Sequence, residues 1–298
     1  MQLYSWQGEA PNFGDELNHL LWPALLPGFF DDDTSKIVLG IGSVLDCRHS
    51  RIVTKIVLGA GYGGYQKPPR LDRSWIIHWV RGPRTAVILG LPKILGLGDP
   101  AMLLPCVPGL FEIIDARSRS IGFMPHFESL ARGAWEAVAS MADMTLIDPR
   151  WPPKQVLAAI AGCSLLLSEA MHGVIVADAL RVPWIALRPQ ARAHRPKWLD
   201  WVGALDLDLS FRPLPASSSR EWMETTRPFS GFSTDRWHRP KPVATIEHKF
   251  LDRAAAALRA AAATPPALSS DTALRRSQGR MLACLKTVAS EHVKVVAA

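Results

Sequence analysis

The chain has 298 residues, 48% of them apolar and 20% charged, the balance of a globular protein large enough for two ordinary domains. Its formal charge of +7 favours anionic partners, but the scattered arginines match no nucleic-acid module, so nucleic acid is not expected. No apolar run reaches the roughly 18 residues of a membrane span, the start Met1-Gln2-Leu3-Tyr4-Ser5-Trp6 lacks a signal-peptide layout, and Cys47, Cys106, Cys163 and Cys284 form no C-x-x-C pair. A cytoplasmic protein with neither disulfide framework nor zinc site is expected.

Strand-like and helix-like segments alternate from the first residues, which predicts an α/β class. Leu3 to Trp6 reads as a strand, followed by a glycine-bounded loop and a helix from about Asp15 to Leu26. Asp15 reads either as the N-cap of that helix or as a carboxylate at the ligand edge of the sheet. Asp31-Asp32-Asp33 resembles a D-x-D metal motif, but no apolar strand feeds it, and a solvated acidic turn explains it better. Lys36 to Ile41 and Lys55 to Ala60 are buried strands that run into glycines. Gly59-Ala60-Gly61-Tyr62-Gly63-Gly64 matches G-x-G-x-x-G formally, yet Lys67-Pro68-Pro69 follows where a helix must open, so no dinucleotide site is expected. Trp75 to Val80 is a strand, and Arg81-Gly82-Pro83-Arg84 opens a helix at its carboxyl end. Arg81 is either a surface arginine or the fork that an anion needs at a ligand edge. Ile94 to Leu97 is a fifth strand, closed by Gly98-Asp99-Pro100, and the periodicity is lost over 105–118.

A second alternation follows: a strand from Ser120 to Met124, a turn holding His126, a helix from Leu130 to Met141 and a strand from Met144 to Ile147. Pro152-Pro153 then starts a helix. Ser164 to Ser168, Met171 to Leu180 and Trp184 to Leu187 form the βαβ unit around which the chain is organised. Its first turn carries Glu169 and His172 at the carboxyl end of a strand, where open α/β sheets bind ligands and a helix N-terminus favours an anion. A core histidine beside a surface carboxylate is the plain alternative. The run with Arg188, Arg192, His194, Arg195, Lys197, Trp198 and Trp201 is a solvated loop or the wall of an anion pocket. Most of the eleven tryptophans are expected to anchor the core. Residues 212 to 245 read as a long loop, 247 to 263 as an alanine-rich helix, and Leu274 to Val288 as a basic amphipathic helix. That tail either returns to the first domain or touches a membrane surface.

Asn12-Phe13-Gly14-Asp15, Gly40-Ile41-Gly42-Ser43-Val44-Leu45, Arg81-Gly82-Pro83-Arg84-Thr85, Gly98-Asp99-Pro100-Ala101 and Ser168-Glu169-Ala170-Met171-His172-Gly173 together resemble, in order and spacing, the polysaccharide pyruvyl transferase family. The likeness is strongest to bacterial exopolysaccharide ketal-pyruvate transferases. It implies two Rossmann-like lobes in a glycosyltransferase-B-like arrangement, here 1–115 and 116–263, with a tail of 264–298. It also implies transfer of pyruvate from phosphoenolpyruvate to a sugar of an exopolysaccharide repeat unit, lipid-linked on the cytoplasmic face of the membrane, forming a cyclic ketal. Arg81 and His172 match the family's donor-binding positions. Ala170-Met171 stands where many members carry Arg-Leu, so one anion contact is either missing or supplied from elsewhere, with Arg84, Arg188, Arg192 and Lys197 as the local candidates. His172, Glu169 and Asp15 are the catalytic candidates, and His126, Met171 and Gly173, on the same turns, are further substrate-binding candidates. No metal or cofactor is expected. A glycosyltransferase of the same shape using a sugar nucleotide, and a non-catalytic scaffold of polysaccharide assembly, are the rival readings.

Overall fold

The computed structural model describes residues 1–8, 10–111, 120–226 and 244–296; the boundary expected at 115 lies outside them. Two four-stranded sheets, all parallel, carry the fold. The first has β1 (Gln2–Tyr4), β2 (Lys36–Leu39), β3 (Thr54–Leu58) and β4 (Trp75–Trp79) in that order. The second has β5 (Ile121–Met124), β6 (Thr145–Leu146), β7 (Leu165–Ser168) and β8 (Trp184–Ala186), ordered β6-β5-β7-β8. These strands are short apolar runs because helices cover a parallel sheet on both faces.

The order of the second sheet reverses between β5 and β7, and such a switch point is where open α/β sheets leave a crevice at their carboxyl edge. The turn after β5 leads into α3 (Phe127–Arg132) and α4 (Trp135–Met141), and the turn after β7 into α6 (Met171–Ala179). In the first sheet, α1 (Phe13–Leu25) follows β1 and α2 (Pro83–Ile88) follows β4. The α5 helix (Pro153–Ala161) packs beside α1. Phe13, Leu17, Leu21 and Trp22 from α1 share one buried core with Val156, Ile160, Val174 and Ile175 from α5 and α6.

Three expectations are corrected. Ile94 to Leu97 is no strand: Lys93–Leu95 forms a 3-10 turn, with a lone bridge from Val80 to Gly96. Pro92 at its N-cap lacks the N–H that a strand ladder needs there. The helix expected over 130–141 is two helices broken at Gly133-Ala134, where Gly133 packs so closely on Trp135 and Glu221 that a Cβ would clash. The loop expected over 212–245 contains α8 (Ser219–Thr226), anchored by Glu221, which is buried and accepts hydrogen bonds from Trp135 Nε1 and from the backbone and hydroxyl of Ser217; 227–243 lie outside the described residues.

After α7 (Arg195–Val202) and α9 (Ala244–Ala262), the chain ends in α10 (Asp271–Val296). Of the two destinations open to this tail, it takes the first sheet. Leu274, Met281, Leu285 and Val288 are buried in the main core, Gln278 Nε2 donates to the Met102 carbonyl at 2.8 Å, and Ser277 donates to the Leu97 carbonyl. No helix among the described residues is long and apolar enough to cross a membrane. Trp22, Trp79, Trp135, Trp184, Trp198 and Trp201 are fully buried anchors, and all four cysteines are free thiols.

Candidate active site

The carboxyl-edge turns of both sheets meet in one cleft. From the first sheet comes the head of α1. Asn12 is its N-cap by backbone and Asp15 stands in its first turn, so the capping alternative for Asp15 falls. Asn12 Nδ2 donates to Asp15 Oδ2 at 2.8 Å. Burial raises the Asp15 carboxyl above its ordinary value, while Asn12, His172 and Lys197 pull it back. Beneath it, buried Asn18 pins α1 to the end of β2, accepting from Ile41 N and donating to Ile41 O, both at 2.9 Å.

His172 stands in the first turn of α6, and its ring packs against Gly14 with Nδ1 nearest. A Cβ on Gly14 would stand 2.6 Å from Cε1 of that ring and closer still to Nδ1, which explains the glycine in Asn12-Phe13-Gly14-Asp15. On the other edge, His172 Nε2 lies 3.4 Å from Oδ2 of Asp99. Gly173 has a parallel reason: a Cβ there would meet Met124 Sδ and Ser168 Oγ. Met171 points into the core.

Glu169 is buried and saturated. It accepts from His126 N at 2.9 Å, Ser129 Oγ at 2.9 Å and Gln190 N at 2.8 Å, so it ties together the loops after β5, β7 and β8. Burial pushes its carboxyl up to about 7 against the pull of those donors. His126, also buried, stacks on His194 with ring centroids 4.3 Å apart. Burial and the charge of Lys197 hold its imidazole well below its usual value. His194 Nε2 pairs with Glu128 Oε2 at 3.2 Å and its Nδ1 with the Tyr65 hydroxyl at 2.8 Å. These partners fit Tyr65 donating to Nδ1 and Nε2–H donating to Glu128. The hydrogen bond from His194 lowers the Glu128 carboxyl to about 2. His126, Glu128 and His194 have metal-ligand spacing, but Lys197 acts on both histidines and Arg132 pairs with Glu128 at 3.3 Å. That cationic surround suits an anion better than a cation.

Arg81 is fully buried at the junction of the two sheets. Its Nε donates to Asp200 Oδ2 at 3.0 Å, Nη1 to Ser43 Oγ at 2.8 Å and Nη2 to the Tyr62 carbonyl at 3.0 Å. Asp200, on α7, also accepts from Thr85 N at 2.8 Å and Thr85 Oγ1 at 2.6 Å, and so caps α2 from across the junction. Lys197, one turn earlier on α7, faces the cleft with Arg81, Asp15, Glu128 and Glu169 around it. Burial, with Arg81 adding to it, lowers its ammonium to about 8. It has no hydrogen-bond partner among the described residues. Arg84, Arg188 and Arg192 are exposed, and Arg188 lines a separate cavity of about 330 Å³ with Pro213, Leu214 and Arg253. The structure thus brings together Asp15, Arg81, His126, Glu169, His172 and Lys197, and leaves those three arginines outside the group.

Residues 12–190 match the model of the polysaccharide pyruvyl transferase family. The chain belongs to that family. It is also similar to the succinoglycan biosynthesis protein ExoV of Rhizobium meliloti (strain 1021), with 33% identity over an alignment 318 positions long that covers 98% of this chain and 100% of the relative. No solved structure matches. The matched span of this pyruvyl transferase family member takes in every cleft residue above except His194, Lys197 and Asp200. Sequence reasoning had named Gly98-Asp99-Pro100 only as a motif and had passed over Tyr65, Glu128 and Asp200 as individual residues. Asp200 carried a usable signal, since an acidic residue between buried Trp198 and Trp201 on a short helix needs a partner.

Proposed function

We propose that this protein transfers the pyruvyl unit of phosphoenolpyruvate onto two hydroxyls of one sugar in an exopolysaccharide repeat unit, producing a cyclic ketal and inorganic phosphate. The observation that carries the reading is the cleft itself. An imidazole, a carboxylate and an unpaired ammonium (His172, Asp15 and Lys197) converge there from both sheets, beside the N-terminus of α6. Membership of the family and the likeness to a succinoglycan biosynthesis protein support the same chemistry.

A donor with about three negative charges needs cations and free N–H groups. Lys197 is the direct ligand, taking the place of the arginine that many members carry at Ala170. Arg81, enclosed behind Ser43 and Tyr62, adds positive potential and holds the two strand-end loops. His172 protonates carbon 3, which leaves carbon 2 electron-poor, and Asp15 offsets that charge and takes the proton of the attacking hydroxyl. The second hydroxyl closes the ring as the carbon–phosphate oxygen bond breaks. Of the two hydroxyl protons, one replaces that spent on carbon 3 and the other leaves on phosphate. Glu169 positions the loops rather than moving protons. The two sheets form the lobes of a glycosyltransferase-B-like arrangement, 1–115 and 116–263 with a tail of 264–298, and the acceptor is lipid-linked on the cytoplasmic face of the membrane.

The test incubates the protein with phosphoenolpyruvate and lipid-linked oligosaccharide. Phosphate release matched by acid-labile pyruvate on the glycan is expected, and His172→Ala should lower the rate by about 10²–10⁴-fold. Turnover of a sugar nucleotide in place of phosphoenolpyruvate would replace this reading with glycosyl transfer.

A further inference from the structure

We infer that Asp99 is the positioning residue of His172: it holds the imidazole proton on Nε2 and so makes Nδ1 the nitrogen that exchanges a proton in the cleft. The inference rests on the role proposed above for His172, and the measurements below separate the two.

Asp99 is fully buried at the head of the 3-10 helix Pro100–Cys106. Its carboxylate is divided between two tasks. Oδ1 accepts from Ala101 N at 3.0 Å and caps that helix. Oδ2 has no hydrogen-bond partner, and neither has Nε2 of His172, which is equally buried. These two unmatched atoms face each other at 3.4 Å. A buried donor or acceptor without a partner is costly, and a small rotation of the imidazole satisfies both at once. The helix cap alone does not explain the second oxygen, since capping uses only the first.

An ionised carboxylate can only accept, so the neutral imidazole must carry its proton on Nε2. Nδ1 then keeps its lone pair, on the edge of the ring that packs against Gly14, a position any Cβ there would deny the imidazole. Asp15, on α1, also acts on this ring. Once Nδ1 is protonated, both carboxylates attract the imidazolium. A histidine whose far nitrogen is held by a buried carboxylate keeps both orientation and tautomer.

The experiment compares wild type with Asp99→Asn, which retains an oxygen for the helix cap but turns an N–H toward Nε2. Nitrogen-15 spectra of histidine-labelled protein at alkaline pH should show His172 with its proton on Nε2 in wild type and on Nδ1 in the variant. The kcat for ketal formation should fall about 100-fold or more, with KM for phosphoenolpyruvate changed less than threefold and circular dichroism unchanged. A wild-type His172 protonated on Nδ1, or an Asp99→Asn enzyme with wild-type kcat, overturns the inference. If Asp99→Asn does not fold, the wild-type spectrum alone decides. A wild type inactive on phosphoenolpyruvate would instead refute the proposed function, while the tautomer measurement still answers for Asp99.

Discussion

Replacing Asp200 with alanine tests whether the two sheets are locked together at the cleft. The side chain is 2% exposed and accepts three hydrogen bonds, from Arg81 Nε, Thr85 N and Thr85 Oγ1. Its removal strands a fully buried guanidinium, a loss that costs about 3–5 kcal/mol when one partner of a buried ion pair is deleted. Against a total stability of about 5–15 kcal/mol, that is a fifth or more of what holds the protein folded. Urea titration followed by tryptophan fluorescence reads it directly, because Trp198 and Trp201 are buried on the same helix. The paired change Arg81→Met with Asp200→Leu should recover part of the loss, since apolar replacement of both partners of an ion pair is often close to neutral, while Thr85 N and Oγ1 stay without their acceptor. A single variant within 1 kcal/mol of wild type would refute the lock.

Four further outcomes are expected. Gly14→Ala should displace the His172 ring and lower kcat about 100-fold with the fold intact, as misplacement of a reacting group by an ångström does; circular dichroism and turnover together check it. Lys197 should hold the donor while protonated, so KM for phosphoenolpyruvate should rise about tenfold per pH unit above about pH 8, and Lys197→Met should abolish that slope. Glu169 has its folded-state value raised to about 7 from the ordinary 4.5. Its contribution to stability is therefore complete below pH 4.5 and lost as the pH rises through 7, and Glu169→Gln should flatten that decline in urea midpoints. Deleting 271–298 should leave little folded protein, because Leu274, Met281, Leu285 and Val288 are buried and such side chains contribute about 1.5–3 kcal/mol each. A truncated chain with the wild-type melting temperature would refute this.

The strands were legible because a parallel sheet buried on both faces leaves apolar runs such as Lys55 to Ala60 and Ser164 to Ser168. Ile94 to Leu97 mimicked such a run, and only its turn geometry after Pro92 distinguishes it. The turn with Glu169 and His172 was legible from its place between a strand and a helix. Its working parts were less so: Glu169 spends its charge on three local donors, and Arg81 is engaged by Asp200, 119 residues away. Contacts at that range leave no mark in local periodicity. Gly14 could be read as a turn glycine, but that it yields space to an imidazole could not.

The last helix of the chain has a consequence for how the protein is made. The first sheet is translated early, yet α10 completes its cover and Asp200 closes its buried cation. A nascent chain that has released only the first sheet therefore holds a lobe whose α10-facing side is uncovered and whose Arg81 lacks a counter-charge. The lobe is completed only once residues 271–296 have been made, and products truncated before them should be substrates for chaperones and proteases rather than independent folding units.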